Sequence, residues 1–251
     1  MVSPRIRLGK LEVDVLRFEQ AVLAIEALVD AAEGGAVFTP NVDHVVQAEN
    51  DPAFADAYAR VSLSLADGAP IVWASRLLGR PLPERIAGSD LVLPVLELAG
   101  RRSWRVAFLG ATPAVAERAA AIARERFGTQ VVSVASPMVN VADEAQLADI
   151  AASLALARPH LVLMALGAPK QELLIDRIRD RIRPAVCLAI GAGLDFIAGS
   201  VQRAPLLLRK AGLEWAFRLG QEPRRMWRRY LVRDPVFALI VGRMLLAERR
   251  R

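Results

Sequence analysis

The chain has 251 residues, 54% of them hydrophobic and 24% charged, with a net charge of +6. A chain of that size and apolar content buries a core without disulfide or metal staples, which excludes a disulfide scaffold, a fibrous repeat and an intrinsically disordered chain. The single cysteine, Cys187, forms no internal disulfide and suits a reducing compartment.

The elements follow in chain order. Residues 5–15 alternate as a short hairpin around Gly9-Lys10. Phe18, Val22, Ile25, Leu28 and Val29 have helical spacing, and Gly34-Gly35 stops that helix. Residues 36–41 read as a strand running into a turn. Residues 42–60 read as one or two helices broken at Asp51-Pro52, and residues 61–68 as a strand ending at Asp67-Gly68. Residues 69–78 and 88–99 read as helices. Strands over 105–110, 130–136, 160–167 and 185–191 then alternate with helices over 113–127, 143–157 and 169–182. Apolar runs of strand length alternating with amphipathic helices predict an α/β fold, a Rossmann-like parallel sheet with right-handed crossovers.

From Ala204 no strand pattern remains. Residues 205–221, 223–232 and 235–249 read as helices punctuated by Pro205, Pro223 and Pro235. Charge changes at the same place. Residues 1–202 hold 20 Lys+Arg against 23 Asp+Glu, net −3, and residues 203–251 hold 13 against 4, net +9. The expected organisation is an α/β core over 1–202 and a basic, amphipathic helical tail over 203–251, with an anionic partner for the tail. The first 20 residues contain no apolar signal core, and no segment reaches the roughly 20 apolar residues of a spanning helix. A cytosolic or peripheral protein is expected.

In an open parallel sheet, ligands bind beyond the carboxyl ends of the strands. Those ends place Thr39-Pro40-Asn41, Asp67-Gly68, Gly110-Ala111-Thr112, Gly167-Ala168-Pro169-Lys170-Gln171 and Gly191-Ala192-Gly193 together. Small residues there admit close backbone approach, and helix N-termini favour an anion such as a diphosphate, so Gly110, Gly167, Lys170 and Gly191 are candidate nucleotide contacts. Each glycine also suits plain turn geometry, and Lys170 a structural contact. Asp67 is a candidate general base or an N-cap. Thr39 and Asn41 offer hydrogen bonds to sugar hydroxyls or form a turn and cap. Gln171 reaches a sugar or base edge, or is a first-turn helix residue. His44 and His160 read as structural. No phosphate-binding P-loop, no full dinucleotide glycine fingerprint, no His/Cys cluster and no Asp-x-Asp pair is present, so no cofactor and no metal are expected. In the tail, Arg218, Arg225 and Arg228 are spaced for one helix face and interleave with Trp215, Phe217, Trp227 and Tyr230. That composition suits a membrane interface or a basic helix packed on the core. The aliphatic content of the tail argues against nucleic acid.

Taken in order, Thr39-Pro40-Asn41, Ala66-Asp67-Gly68, PLPERIAGSDL (81–91), FLGATP (108–113), LGAPKQE (166–172), AIGAGLDFIAG (189–199), RAP (203–205) and GLEWAFRLGQEPRRMWRRYLVRDP (212–235) resemble the WecG/TagA/CpsF glycosyltransferase family over nearly the whole chain. The resemblance implies an inverting, metal-independent bacterial enzyme, peripheral on the inner face of the cell membrane. It would move a sugar from a UDP-sugar to a saccharide on a polyprenyl diphosphate during cell-surface polysaccharide synthesis. It implies Asp67 as base, Thr39, Asn41, Arg85 and Gln171 as active-site residues, and Arg218, Arg225 and Arg228 as contacts to a diphosphate. Val-Asp-His after Asn41 and Ser-Pro-Met-Val-Asn after the strand at 130–135 lie where members differ, so the donor sugar stays open. The competing classes are a nicotinamide-dependent oxidoreductase and a non-catalytic membrane adaptor.

Overall fold

The computed structural model describes residues 3–202, 204–205, 208, 214–221, 227 and 234–248. The predicted hairpin is present, with β1 (Arg5–Leu8) antiparallel to β2 (Leu11–Asp14). Its turn needs glycine: Gly9 has φ +60°, and a Cβ there would meet Glu49 Oε1 at 2.8 Å. The chain continues through α1 (Phe18–Ala31), β3 (Gly35–Phe38), α2 (Val42–Asn50), α3 (Pro52–Ala59), β4 (Leu63–Ser64), α4 (Ala69–Leu77) and α5 (Gly88–Arg101). Asp51 serves both helices at the predicted break, ending α2 and capping α3 by accepting a hydrogen bond from Phe54 N at 3.1 Å. Then come β5 (Arg105–Gly110), α6 (Pro113–Phe127), β6 (Gln130–Ala135), α7 (Glu144–Ala157), β7 (Leu161–Ala165), α8 (Lys170–Ile178) with a 3-10 turn at Arg179–Arg181, β8 (Val186–Ala189) and α9 (Gly193–Ala198). In the tail, α10 (Glu214–Gln221) and α11 (Asp234–Glu248) are described. Apart from Trp227, the helix expected over 223–232 lies outside the described residues.

Six strands form one all-parallel sheet in the order β4-β3-β8-β7-β5-β6. The fold is therefore the expected α/β type. Period-two alternation along each strand divides the core into two layers. Ala36, Phe38, Ala107, Leu109, Val162, Met164, Cys187 and Ala189 face α2, α3, α4, α7 and α8. Val37, Val106, Phe108, Leu161, Leu163, Val186 and Leu188 face α1, α5, α6 and α9. Burying each large aliphatic or aromatic side chain stabilises the fold by about 1.5–3 kcal/mol, and both faces supply many. Burial pushes the Cys187 thiol up to about 12, so it behaves as a core hydrophobe.

One expectation changes, and of the two readings left open for the tail, packing on the core is seen for its last helix. The strand over 61–68 shrinks to Leu63–Ser64, because β4 is the sheet edge and pairs only with β3. Beyond it the chain still tracks β3, through Leu65 N to Phe38 O at 2.8 Å and Asp67 N to Pro40 O at 2.9 Å. The tail also returns to the core. Phe237, Ile240 and Val241 of α11 are buried in the α2-side layer, and Gly9 N donates to Met244 Sδ at 3.2 Å.

One buried carboxylate joins the hairpin to the edge strand. Asp14 accepts from Arg5 Nε at 3.0 Å, from Ser64 N at 2.7 Å and from Ser3 Oγ. Arg5 continues to the carbonyls of Val61 and Ser62 at 3.2 and 2.9 Å. The sequence reading assigned Asp14 no role. Asp14→Ala leaves the buried Ser64 N–H and a largely covered guanidinium without their acceptor. We expect a loss of about 2–4 kcal/mol, seen as a Tm lower by roughly 5–15 °C in circular dichroism melts. An unchanged Tm would dismiss this anchor.

Candidate active site

Because every sheet strand runs the same way, the turns after β3, β4, β5, β7 and β8 leave from one edge. Three of them meet. Asp67 N donates to the Pro40 carbonyl, which ties the turn after β4 to the turn after β3. Ile86 N donates to Ala66 O at 2.6 Å and brings the 84–87 segment alongside. Gly88, at the start of α5, packs so closely on Thr39 and Ala189 that a Cβ there would sit 2.8 Å from Thr39 Oγ1 and 2.9 Å from Ala189 O. Asp67, Arg85, Thr39 and Asn41 are thereby gathered at the β4-β3-β8 end of the sheet.

Asp67 is partly exposed. The N-cap position of α4 belongs to Gly68 (φ +107°), a residue without a side chain, so Asp67 does not occupy the cap position that the sequence left open for it. Arg85 is held by Asp90, with Nη2 donating to Oδ2 at 2.7 Å. Thr39 is buried and its hydroxyl donates to Ala189 O at 3.5 Å. Asn41 is the N-cap of α2, its Oδ1 accepting from Asp43 N and His44 N at 3.0 and 3.4 Å. That leaves the Nδ2 amide as the group Asn41 offers outward.

Beneath these residues lies a buried polar cluster that the sequence reading missed. Glu172 is fully buried. Its Oε1 accepts from Gln171 Nε2 at 2.8 Å and faces His44 Nε2 at 3.4 Å, an ion-pair distance. Gln171 Oε1 in turn accepts from Gly191 N at 3.2 Å. His44 Nδ1 accepts from Asn41 N at 3.3 Å, which puts the ring proton on Nε2, toward Glu172. The cluster thus connects the turns after β3, β7 and β8. Phe38, Phe54 and Tyr58 enclose it, with His44 stacked on Phe54 at 5.8 Å and Phe54 edge-on to Tyr58 at 5.2 Å. Burial, then the Glu172 and Asp67 carboxylates, hold the Tyr58 phenol well above its usual range, so it stays protonated. The signal that could have found Glu172 is the GAPKQE segment itself, where an acidic residue stands at helical spacing from Ile175, on the buried face of α8.

The remaining candidates separate. Gln171 is only 4% exposed, and both ends of its amide have protein partners within the cluster. The Gly191 N–H is engaged by Gln171, so a ligand there meets its open Cα face, where a Cβ would touch nothing within 4 Å. Gly167 (φ +73°) is equally open, and Lys170 is exposed at the first residue of α8. Gly110 has a structural reason instead: a Cβ on it would lie 2.5 Å from the Ala165 carbonyl oxygen of the neighbouring strand. His160 is structural as expected, its Nδ1 accepting from Arg105 N at 2.8 Å. Burial, then Arg105, holds it below its usual pKa. Arg218 falls within α10, while Arg225 and Arg228 lie outside the described residues. Among the described residues, no group of three or more His, Cys, Asp or Glu side chains is assembled to hold a metal, and no helix is long and apolar enough to cross a membrane.

The sequence model described as the Glycosyl transferase WecG/TagA/CpsF family matches residues 6–251. A Bacillus spizizenii protein named N-acetylglucosaminyldiphosphoundecaprenol N-acetyl-beta-D-mannosaminyltransferase is 33% identical over 204 residues, covering 81% of this chain and 77% of its own. Proteins of the same name from Bacillus subtilis and Staphylococcus aureus are 30% and 29% identical. They cover 85% and 80% of this chain, and 81% and 77% of their own.

The cluster can be tested without any substrate. Glu172→Ala leaves the buried Gln171 amide without its acceptor, removes the carboxylate facing His44 and opens a cavity under the site. We expect a loss of about 3–5 kcal/mol in urea unfolding. A variant as stable as the parent would mean that the carboxylate does not order these turns.

Proposed function

Because the chain belongs to the WecG/TagA/CpsF glycosyltransferase family, we propose that it is an inverting transferase moving an N-acetylhexosamine from a UDP-sugar to a polyprenyl-diphosphate-linked saccharide. The names of the relatives make N-acetylmannosamine the first donor to try, and an N-acetylglucosaminyl diphospholipid the first acceptor. Neither the oxidoreductase nor the adaptor class accounts for this family membership.

The observation that carries the reading is the meeting of Asp67, Arg85, Thr39 and Asn41 at one sheet edge, through the Asp67–Pro40 and Ile86–Ala66 hydrogen bonds. In the proposed step, Asp67 accepts the proton of the acceptor hydroxyl as that oxygen attacks the anomeric carbon. The bond from that carbon to the diphosphate oxygen breaks, and UDP departs with the electron pair. A single displacement inverts the anomeric centre, so an α-linked donor yields a β-linked product, in keeping with the "beta" in the relatives' names.

The leaving diphosphate needs positive potential. The open turn at Gly167, the N-terminus of α8 and Lys170 supply it from the core. In this reading Arg218, Arg225 and Arg228 supply the rest from the basic tail, residues 203–251, which also meets an anionic membrane surface. Arginines and backbone amides then do the work that a metal would do, and the reaction is metal-independent. Gln171 acts by holding the turn after β8 through Gly191.

Asp67→Asn keeps the shape and removes the base. Turnover, followed as UDP release from UDP-N-acetylmannosamine with the lipid-linked acceptor, should fall about 10²–10⁴-fold, while UDP affinity and Tm change little. Near-normal turnover would remove Asp67 from the chemistry.

Excess EDTA should leave the rate of the wild-type enzyme unchanged. A strict requirement for Mg²⁺ or Mn²⁺ would overturn neutralisation of the diphosphate by arginines and amides.

A further inference from the structure

Helix α4 starts two residues after Asp67 and is locked onto the core. Ile71, Ala74 and Leu78 are buried in the α2-side layer. Ser75 Oγ donates to Val72 O at 2.7 Å and accepts from Leu82 N at 2.9 Å, stitching the end of the helix to the turn that follows. The outer face of this rigid helix is not what a solvated helix carries. Trp73 is 49% exposed and Leu77 69% exposed, with exposed Arg76 between them. These residues stand at i, i+3 and i+4, so they share one face. Exposed Arg80 follows just past the helix end. Nothing in the catalytic reading uses any of them.

We propose that this face of α4 is a membrane-contact surface of the core itself, separate from the tail, which lies in the interfacial layer of an anionic bilayer beside the active site. The proposal rests on the reading of the acceptor as lipid-linked. The chemistry fits that occupant. Tryptophan and leucine bury apolar area at the headgroup level, and Arg76 between them pairs with anionic headgroups. The position fits as well. At 1.5 Å per residue, Trp73 and Leu77 lie about 6 and 12 Å along α4 from its first residue, Ala69. A diphospholipid acceptor whose sugar reaches Asp67 has its prenyl chain anchored in the bilayer, so the membrane must come close to the mouth of the site. A helix that begins two residues after Asp67 and displays Trp, Leu and Arg outward meets it there. The arginine charge favours a lipid surface over a second copy of the chain, which would bring Arg76 and Arg80 toward their own counterparts across a two-fold axis.

The test uses the full chain and vesicles of phosphatidylglycerol and phosphatidylethanolamine with brominated acyl chains, which quench tryptophan at the membrane. Trp73→Phe keeps an apolar ring and removes one fluorophore, so its difference from wild type reports position 73 alone. Expected are a fall in quenchable fluorescence with vesicle sedimentation nearly unchanged and, with pure phosphatidylcholine vesicles, a loss of most binding. Trp73→Ser/Leu77→Ser should lower sedimentation roughly tenfold and raise KM for a long-chain acceptor by a similar factor. Its kcat on a short, water-soluble acceptor and its Tm should stay at wild-type values. If Trp73→Phe leaves quenching unchanged, or the double variant sediments like wild type, the proposal is overturned. If the double variant abolishes a concentration-dependent dimer and Trp73 is not quenched, the face belongs to a second copy and the proposal is likewise overturned. The vesicle measurements need no turnover, so absence of transfer to any polyprenyl-linked acceptor counts against the function alone.

Discussion

A strand that pairs parallel to its neighbour must be re-entered from the end at which the chain left its predecessor. Each return therefore crosses a sheet face, and a helix is the segment that can cross it with its own backbone satisfied. Six strands paired this way send every outgoing turn to one edge. The site follows from that constraint. Asp67, Thr39, Asn41, Lys170 and Gly191 are scattered over 150 positions of sequence, yet each stands just after a strand and so arrives at the same rim. The amino end of the sheet receives the return loops and gathers no comparable set of candidates.

Bringing turns to one rim does not align them, and here the alignment is electrostatic. Two buried carboxylates do it from opposite sides. Asp14 takes a backbone N–H of the short edge strand and an arginine of the hairpin, which fixes the strand that leads into the turn at Asp67. Glu172 takes the Gln171 amide and faces His44, which fixes the turns after β8 and β3. A carboxylate shut away from water is costly unless donors surround it, so each holds its donors where they are. Asp67, unlike these two, is partly exposed. Aromatic walls from Phe38, Phe54 and Tyr58 keep water from competing for the Glu172 cluster.

Among the described residues no helix is long and apolar enough to span a bilayer. Positive charge is concentrated from residue 203 onward, and Trp73, Arg76 and Leu77 are exposed on the helix that starts two residues after Asp67. Phe237, Ile240 and Val241 of α11 belong to the same core layer as Ile71 and Ala74 of α4. Tail and site are thus braced against one body of side chains.

The sequence by itself determined the layering. Strand-length apolar runs alternating with 3.6-residue periodicity admit few arrangements besides a covered parallel sheet, and glycine, proline and aspartate mark the ends of those runs because of their backbone chemistry. Asp67, Asn41 and the turn glycines were legible for the same reason: they follow strands. Only the tertiary structure decided which of them meet. The shortness of β4 depends on its place at the sheet edge, and Gly110 is needed because Ala165 of another strand lies against it. Gln171 was found to brace the turn after β8, and Asp14 and Glu172 acquired their roles, through partners that lie 20, 50 and 128 positions away, at Gly191, Ser64 and His44. Local pattern encodes periodicity and turn geometry, whereas the partner of a buried charge is set by which strands become neighbours, and no local pattern records that.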